Sequence, residues 1–245
     1  MGEVYCGPAP TPQSLMGAWT LDLVAIGLGA VILTIHLRVR RADRPWALAA
    51  GLVVLALLFL SPLCALSAAL FSARAAHHVI LVAVAAPLFA LAFPARKRPI
   101  LAVGWLALLH GFAFWLWHLP AIYAVGVGSP AAYWLMQASL LGSGVWLWAR
   151  VLDRREGTGG VLLALGASTV QMGMLGALLT FAAAPLYGPH LFTTAPFGLS
   201  PHADQQLAGL IMWVPAAFPY LAAALWRCWP MLAPGARPRV SPWWG

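Results

Sequence analysis

The sequence predicts an all-α membrane protein, a bundle of seven transmembrane helices, and its composition is the first reason. Of its 245 residues, 62% are hydrophobic and only 8% are charged, whereas a soluble domain carries roughly 25% charged residues. The mean hydropathy is +0.84, so a soluble fold could not cover the apolar surface. This composition excludes a cytosolic enzyme, a disordered chain and, despite the net charge of +8, a nucleic-acid-binding protein. The expected surroundings are the lipid bilayer.

The second reason is a series of apolar stretches. A helix that crosses a bilayer needs about 20 mostly apolar residues. Seven stretches meet this need, and in chain order they are Leu21–Leu37, Trp46–Leu63, Ala75–Phe93, Ile100–Tyr123, Ala131–Val151, Gly160–Ala183 and Asp204–Arg227. Pro87 and the pair His77 and His78 interrupt the third stretch. Membrane helices tolerate proline where neighbouring groups satisfy the backbone.

The basic residues predict the orientation. Every Lys and Arg except Arg74 falls on one side of a seven-span chain, and such residues concentrate on the cytoplasmic side. The N-terminus is therefore expected outside and the C-terminus in the cytoplasm. The chain is then a single membrane domain, 1–245, with an outer segment at 1–20, an outer loop at 184–203 and a cytoplasmic tail at 228–245.

A layer of residues that can bind metals lies at the outer ends of four predicted spans. Its members are Cys64, His77, His78, His118 and Asp204. At about 1.5 Å rise per residue, the histidines lie roughly one turn below the outer surface. Imidazole and thiolate groups suit copper, zinc or iron, and polar residues buried in membranes are usually functional. We therefore expect a metal or cofactor site there; separate hydrogen-bonded polar residues are the alternative.

Other side chains are secondary candidates for metal binding. They are Cys6, His110, Met172, Met174, His190, His202 and Met212. Thioethers suit Cu(I), although Met also fills cores, and His110 is either a deeper ligand or a partner in a helix–helix hydrogen bond. Cys6 and Cys64 both lie on the outer side, where they form a disulfide, act as soft ligands, or do neither. Asp204, like Asp22, alternatively caps a helix.

Several stretches of the chain follow a known pattern. They are YCGPAPTP, SPLCALSAALFSARAAHHVILVAVAAPL, WLWHLPAIY, and GALLTFAAAPLYGPH leading to SPHADQQLAGLIMWVPA. In these stretches the chain resembles the CtaG-type multi-spanning cytochrome c oxidase assembly proteins of bacteria. The resemblance runs from Tyr5 to about Leu225. Its most specific parts are the stretch from Asp204 to Pro215 and the WHLP element around His118.

The resemblance implies a role in building heme–copper oxidase in the bacterial cytoplasmic (inner) membrane, with copper supply to a metal centre and no catalysis. It implies family positions at four residues, His78, His118, Asp204 and Gln205. The chain departs from the family pattern at Arg74, where the family has His, and at His77, where it has Gln. Either change alters the set of ligands that the resemblance implies.

The residues and the resemblance together favour a copper-handling assembly factor. We expect Cu(I) from a periplasmic copper chaperone to bind two or three of Cys64, His77 or His78, and His118, and to pass to oxidase subunits. One alternative is a b-type cytochrome with His78 and His118 as axial ligands. Others are a metal-free scaffold for oxidase subunits, a zinc-dependent intramembrane hydrolase, which needs about three ligands and a base, and a copper permease.

Overall fold

The computed structural model describes residues 5–95 and 101–232, and over these residues the chain forms helices and no strand. The α-helices are α1 (Leu23–Thr34), α2 (Pro45–Phe59), α3 (Pro62–Ala69), α4 (Phe71–Ile80), α5 (Ala86–Ala92), α6 (Val103–His118), α7 (Pro120–Gly128), α8 (Pro130–Val151), α9 (Thr158–Phe181), α10 (Pro201–Trp213) and α11 (Ala217–Leu232). Short 3₁₀ turns cover Leu15–Gly17, Gly188–His190 and Ala195–Phe197, and π-helical turns cover Ile35–Val39 and Leu81–Ala85. Each predicted span overlaps one or two of these helices.

The lengths of the helices support several membrane crossings. Among the described residues, three helical stretches are long and apolar enough to cross a membrane, Phe71–Ala92, Thr158–Phe181 and Pro201–Met231. Counting each bent helix pair as one span raises the number to five. Seven crossings and the orientation stay predictions. The predicted basic connection at 96–98 and the chain after residue 232 lie outside the described residues.

Two predicted spans are broken rather than continuous, which corrects the prediction. The second bends by 47° between α2 and α3, and the fourth bends by 81° between α6 and α7. Pro62 and Pro120 begin the second helix of each pair. A proline disfavours helical geometry in the residue before it, and Ser61 and Leu119 are accordingly extended.

The third span is the most deeply buried of the three long stretches. It starts at Phe71, four residues before the predicted start. A π-helical turn, Leu81–Ala85, precedes Pro87, which lacks the backbone N–H of a regular helix. The indole of Trp148 donates a hydrogen bond to the Val82 carbonyl at 2.8 Å. A neighbouring helix thus satisfies a backbone group at this irregular turn, as a membrane interior requires.

Helices α9 and α10 approach each other closely because glycines face each other. A Cβ atom added at Gly209 would lie 2.5 Å from the Gly176 carbonyl oxygen, and one added at Gly176 would lie 2.7 Å from the Gly209 carbonyl oxygen. Small residues of this kind let membrane helices pack backbone to backbone. This contact fixes the position of α10, which carries Asp204.

Gly209→Ala should lower the free energy of unfolding, because its methyl group would overlap backbone atoms of α9. We expect a loss of about 1–3 kcal/mol, typical of overpacking, measured by denaturant unfolding in detergent. The matched control is Gly166→Ala on α9, where a Cβ meets nothing within 4 Å and Ala is the better helix former. Equal stability of the two variants would contradict the close α9–α10 contact.

Candidate functional site

Three histidines from two helices meet inside the bundle. His77 and His78 lie on α4, and His118 is the last residue of α6. All three are at most 4% exposed. The ring centroids of His77 and His78 are 5.7 Å apart, and those of His78 and His118 are 6.0 Å apart. We call these three residues the histidine cluster.

Two hydrogen bonds hold His118 at the end of α6. Its Nδ1 lies 2.7 Å from the Phe114 carbonyl oxygen, and because a carbonyl only accepts hydrogen bonds, the proton of the neutral ring is on Nδ1. The His118 carbonyl accepts a hydrogen bond from the Tyr187 hydroxyl at 2.8 Å. His118 therefore offers the lone pair of Nε2, and a backbone partner at the other nitrogen is typical of histidines that bind metals.

His78, whose ring lies beside that of His118, has no hydrogen-bond partner in the described part of the chain. Neither of its ring nitrogens makes a hydrogen bond with a described residue, although both are buried. Most buried polar groups are hydrogen-bonded, and leaving one unpaired costs about 1–3 kcal/mol. Both ring nitrogens of His77 are likewise buried without a hydrogen bond to a described residue, and its ring packs edge-on against Phe59, with centroids 5.0 Å apart. Of these two histidines, His78 is the one whose ring contacts the His118 ring, so its unpaired nitrogens are the ones that lie beside His118.

Arg74 places a buried positive charge one turn before the two histidines on α4. It is 0% exposed and forms no ion pair with any carboxylate among the described residues. Its guanidinium group lies 3.4 Å from the Tyr133 hydroxyl and 3.8 Å from the Cys6 sulfur. It also lies over the Tyr133 ring, 5.3 Å from the centroid. A fixed cation at this position repels any second positive charge that is brought to the histidine cluster.

Asp204 caps α4 from another helix. One carboxylate oxygen accepts a hydrogen bond from the Phe71 N–H at 2.6 Å, and the other accepts from the Ser72 N–H at 3.2 Å and from the Ser72 hydroxyl. A carboxylate at a helix N-terminus satisfies free N–H groups and interacts well with the helix dipole. Asp204, predicted as a metal ligand or as the cap of its own helix, therefore caps α4, and Ser200 is the N-cap of α10.

The connection between α9 and α10, residues 182–200, is held by polar side chains of α10. The Gln205 side-chain oxygen accepts a hydrogen bond from the Leu186 N–H at 2.7 Å. Nε2 of His202 lies 2.8 Å from the Ala182 carbonyl oxygen. His202, a secondary candidate for metal binding, thus fixes the start of the connection and does not join the histidine cluster. Gln205, which the family resemblance implied as a functional position, likewise holds this connection and does not join the histidine cluster.

The middle of this connection covers the start of α4. The Tyr187 ring stacks on Phe71 with centroids 3.9 Å apart. His190 is buried, and its Nε2 lies 2.7 Å from the Tyr123 hydroxyl. Burial, with a smaller contribution from the charge of Arg74, lowers the pKa of His190 to about 4. His190 is therefore neutral at physiological pH and serves to close the structure above the cluster.

Cys6 and Cys64 form a disulfide, with Cα atoms 5.4 Å apart. The disulfide was one of the three alternatives that the sequence left open. It joins the segment before α1 to α3, and Tyr5 beside it stacks on Tyr133 with centroids 4.2 Å apart. In this form neither sulfur is a thiolate, so the predicted role of Cys64 as a soft ligand does not apply to it.

The deeper candidates lie apart from the cluster. His110 lies two turns before His118 on α6, and its Nδ1 is 2.9 Å from the Ser143 hydroxyl. Met172 lines a small cavity beside His110, and Met212 is buried. Met174 is 59% exposed on the outside of the bundle. The hydrogen bond of His110 matches the helix–helix alternative, and Met174 is displaced from any interior site.

Most of the chain matches one known protein family. Residues 30–233 match the model of the cytochrome c oxidase caa3 assembly factor family, Caa3_CtaG. The chain belongs to this family. No curated protein and no solved structure matches the sequence of this chain. The resemblance that the motifs indicated is thus confirmed, and the histidine cluster and Asp204 fall within the matched residues.

Sequence reasoning missed two parts of the site in this assembly factor. The first is the contact of Arg74 with Tyr133, and the second is the buried amide of Gln137, which is 2% exposed. Arg74 carried a usable signal, because it was the one basic residue on the outer side of the predicted topology, and intramembrane charges are usually functional. For Tyr133 and Gln137 the sequence did not identify the contacts, because a phenol or an amide in an apolar stretch does not identify its partner.

Asp204→Ala should strongly destabilise the assembly factor, because three hydrogen bonds to the start of α4 are lost inside the protein. Charged hydrogen bonds contribute about 1.5–3 kcal/mol each, so we expect a loss above about 3 kcal/mol in detergent unfolding. The matched control is Asp22→Ala at the partly exposed N-cap of α1, with a loss of about 1 kcal/mol. Equal losses would argue against the buried cap.

Cys64→Ser should also lower stability, because the disulfide closes a loop with a sequence separation of 58 residues. The loop-closure estimate is about 4 kcal/mol. The control is Cys228→Ser, which removes the free cysteine and should leave the unfolding midpoint unchanged. Adding a reductant should lower the midpoint of the wild-type protein and leave that of Cys64→Ser in place. A reductant effect of the same size on both proteins would contradict the disulfide.

Proposed function

We propose that this caa3 oxidase assembly factor binds Cu(I) between His78 and His118 and passes it to a metal centre of a heme–copper oxidase. One observation carries the proposal. The buried His78 ring, with no hydrogen bond on either nitrogen, adjoins a His118 ring whose proton is held on Nδ1. Copper is the cargo of such a protein, so no chemical turnover is needed.

The separation of the two rings supports one ion between them. With metal–nitrogen bonds of about 2 Å, two imidazoles on a single ion have ring centroids about 6 Å apart. The centroids of His78 and His118 are 6.0 Å apart, with an angle of 84° between the ring planes. An ion with two ligands permits that angle, because each ring rotates freely about its own metal–nitrogen bond.

The surroundings of the pair favour Cu(I) over a divalent ion. Coulomb repulsion scales with charge, so the Arg74 guanidinium penalises Zn²⁺ or Cu²⁺ about twice as much as Cu(I). The described part of the chain holds no group of three or more His, Cys, Asp or Glu residues suited to a metal ion. Structural zinc sites use four ligands and catalytic ones three, whereas Cu(I) accepts two imidazoles.

A site with two ligands suits delivery rather than storage. A partner can add its own ligands to an under-filled ion and draw it away in steps. The proposed route begins with a periplasmic copper chaperone and ends on oxidase subunits in the bacterial cytoplasmic membrane, on the side where the predicted topology places the histidines. Residues 182–200 cover the start of α4, so this connection is the proposed point of entry.

A Cu(I) chelator-competition titration of the purified protein in detergent tests the proposal. We expect about one Cu(I) per chain, and binding at least tenfold weaker in His78→Ala and in His118→Ala, a change of about 1.4 kcal/mol. His36→Ala is the matched control, because that ring accepts a hydrogen bond from the Ala42 N–H near the far end of α1. The control should bind like the wild type and support normal caa3 oxidase levels in cells.

Three outcomes would overturn the proposal. Unchanged Cu(I) binding in both variants would place the ion elsewhere. A Soret band in the purified protein would indicate heme and a b-type cytochrome. Absence of both copper and heme, with oxidase maturation intact in His118→Ala, would leave a metal-free scaffold as the better description.

A further inference from the structure

The guanidinium group of Arg74 is buried and has no carboxylate as an ion-pair partner among the described residues. The carboxylates at this end of the bundle serve elsewhere. Asp204 caps α4, and Asp22 caps α1 and accepts a hydrogen bond from the Tyr5 hydroxyl at 2.9 Å. A buried charge without a partner of opposite charge is costly. An anion formed beside Arg74 would therefore be strongly stabilised.

Among the groups that contact Arg74, the sulfur of Cys6 is the one that gains a negative charge on reduction. It lies 3.8 Å from a guanidinium nitrogen. The Tyr133 hydroxyl lies 3.6 Å from the same sulfur, and because it accepts a hydrogen bond from Arg74, its own proton is available to the sulfur. A neutral sulfur is a weak acceptor, whereas a neighbouring arginine stabilises a thiolate. These donors are placed for a thiolate at Cys6.

The segment that carries Cys6 is also held by contacts other than the disulfide. The Tyr5 N–H donates a hydrogen bond to the Val127 carbonyl at 2.9 Å. The Tyr5 ring stacks on Tyr133, with centroids 4.2 Å apart. A Cys6 thiolate released by reduction would therefore stay beside Arg74.

A local opening of the same segment gives access to the disulfide. Cys6 and Cys64 are 5% and 2% exposed, so a reductant does not reach them in the closed structure. Residues 7–14, which follow Cys6, form no helix or strand and are mostly exposed. Segments of this kind open at a lower cost than packed helices. Movement of residues 7–14 would uncover the sulfurs while the bundle stays folded.

We infer that the Cys6–Cys64 pair is redox-active and that its reduction raises the Cu(I) affinity of the histidines; the second part rests on the proposed function. A dithiol is the electron donor. One of its thiolates attacks the Cys64 sulfur, and the Cys6 sulfur leaves as a thiolate beside Arg74. The second thiol of the donor then releases Cys64 as a thiol. The donor becomes a disulfide, two electrons enter the pair, and one proton goes to solvent. Exchange with the disulfide of a partner reverses the reaction.

The thiolate acts on the copper site through Arg74. Arg74 and His78 are four residues apart on α4, so they share a helix face, with Cβ atoms about 6 Å apart. In the disulfide form the guanidinium repels a cation bound between His78 and His118. A thiolate at Cys6 compensates much of this positive charge. The reduced protein therefore binds Cu(I) more tightly, and formation of the disulfide favours its release.

A redox titration of the full chain in mild detergent tests the pair. Cys228→Ser removes the free cysteine, and tagging with a maleimide counts the reduced chains in mixtures of reduced and oxidised glutathione. We expect these mixtures to reduce the wild-type pair. In Arg74→Gln the equilibrium constant for reduction should fall at least tenfold, which corresponds to about 30 mV. Arg74→Lys keeps the positive charge and should stay close to the wild type.

The matched control is Arg154→Gln. The Arg154 guanidinium lies over the Trp226 ring, 4.3 Å from its centroid, and beyond the opposite end of α8 from Tyr133. This variant should leave the equilibrium constant unchanged. Equal constants in Arg74→Gln and Arg154→Gln would overturn Arg74 as the partner of the thiolate, and the switch with it. Resistance of the folded wild type to every glutathione mixture would identify a structural disulfide and overturn the inference.

The effect on copper is tested with two variants that differ only in charge. In a Cys64→Ser background, Cys6→Asp places a fixed anion beside Arg74, and Cys6→Asn places a neutral group of the same size there. Neither variant retains a thiol of the pair that could bind copper itself. We expect Cys6→Asp to bind Cu(I) at least tenfold more tightly in the chelator competition. The difference should disappear when His118→Ala is added.

The wild type supplies a second comparison that needs no change at Cys6. Its reduced form, freed of glutathione, should bind Cu(I) at least tenfold more tightly than its disulfide form. A gain that persists in His118→Ala would indicate binding by the thiols and would overturn the switch. Equal affinities of Cys6→Asp and Cys6→Asn would overturn the switch alone. Absence of Cu(I) binding in both forms of the wild type would overturn the proposed function, and the switch with it.

Discussion

The hydrogen bonds between the Asp204 carboxylate and the start of α4 hold the site together. Helix α4 begins inside the protein, where its first N–H groups are buried away from solvent and need other acceptors. Its own N-cap, Leu70, has no side chain that could accept them. Asp204 supplies both acceptors from α10. Because the cap fixes where α4 starts, it also fixes the turns that follow, on which Arg74 and His78 lie.

The buried charges of this region divide into two roles. The Asp204 charge is stabilised by three hydrogen bonds and by the dipole of the α4 N-terminus. The Arg74 charge meets weaker partners, among them the Tyr133 phenol and the disulfide sulfur. A positive charge that is only partly compensated changes the electrostatic potential at the neighbouring imidazoles. In the proposed function it lowers the affinity for any cation, and a carrier that must release its cargo benefits from moderate affinity.

The sequence predicted the helical fold class, because the length of each apolar stretch can be read from that stretch alone. It also predicted that His77, His78 and His118 lie at one level, because the depth of a residue follows from its position within its own span. It did not predict the bends at Ser61 and Leu119, since proline is compatible with straight, kinked and broken spans. The choice between ligand and cap for Asp204 depends on which helix start packs against α10. This packing is a property of the tertiary structure, and neither the composition nor the spacing of residues predicts it.

Access to the histidine pair and the stability of α4 are linked through one connection. Tyr187 donates to the His118 carbonyl and stacks on Phe71, whose N–H is held by Asp204. Residues 182–200 thus contact a proposed ligand and the capped helix start together. A partner that displaced this connection would uncover the pair without removing the cap, because Asp204 belongs to α10 and α10 is packed against α9 through Gly209. In the proposed function, the fold therefore separates the connection that opens for copper transfer from the helix start that stays fixed.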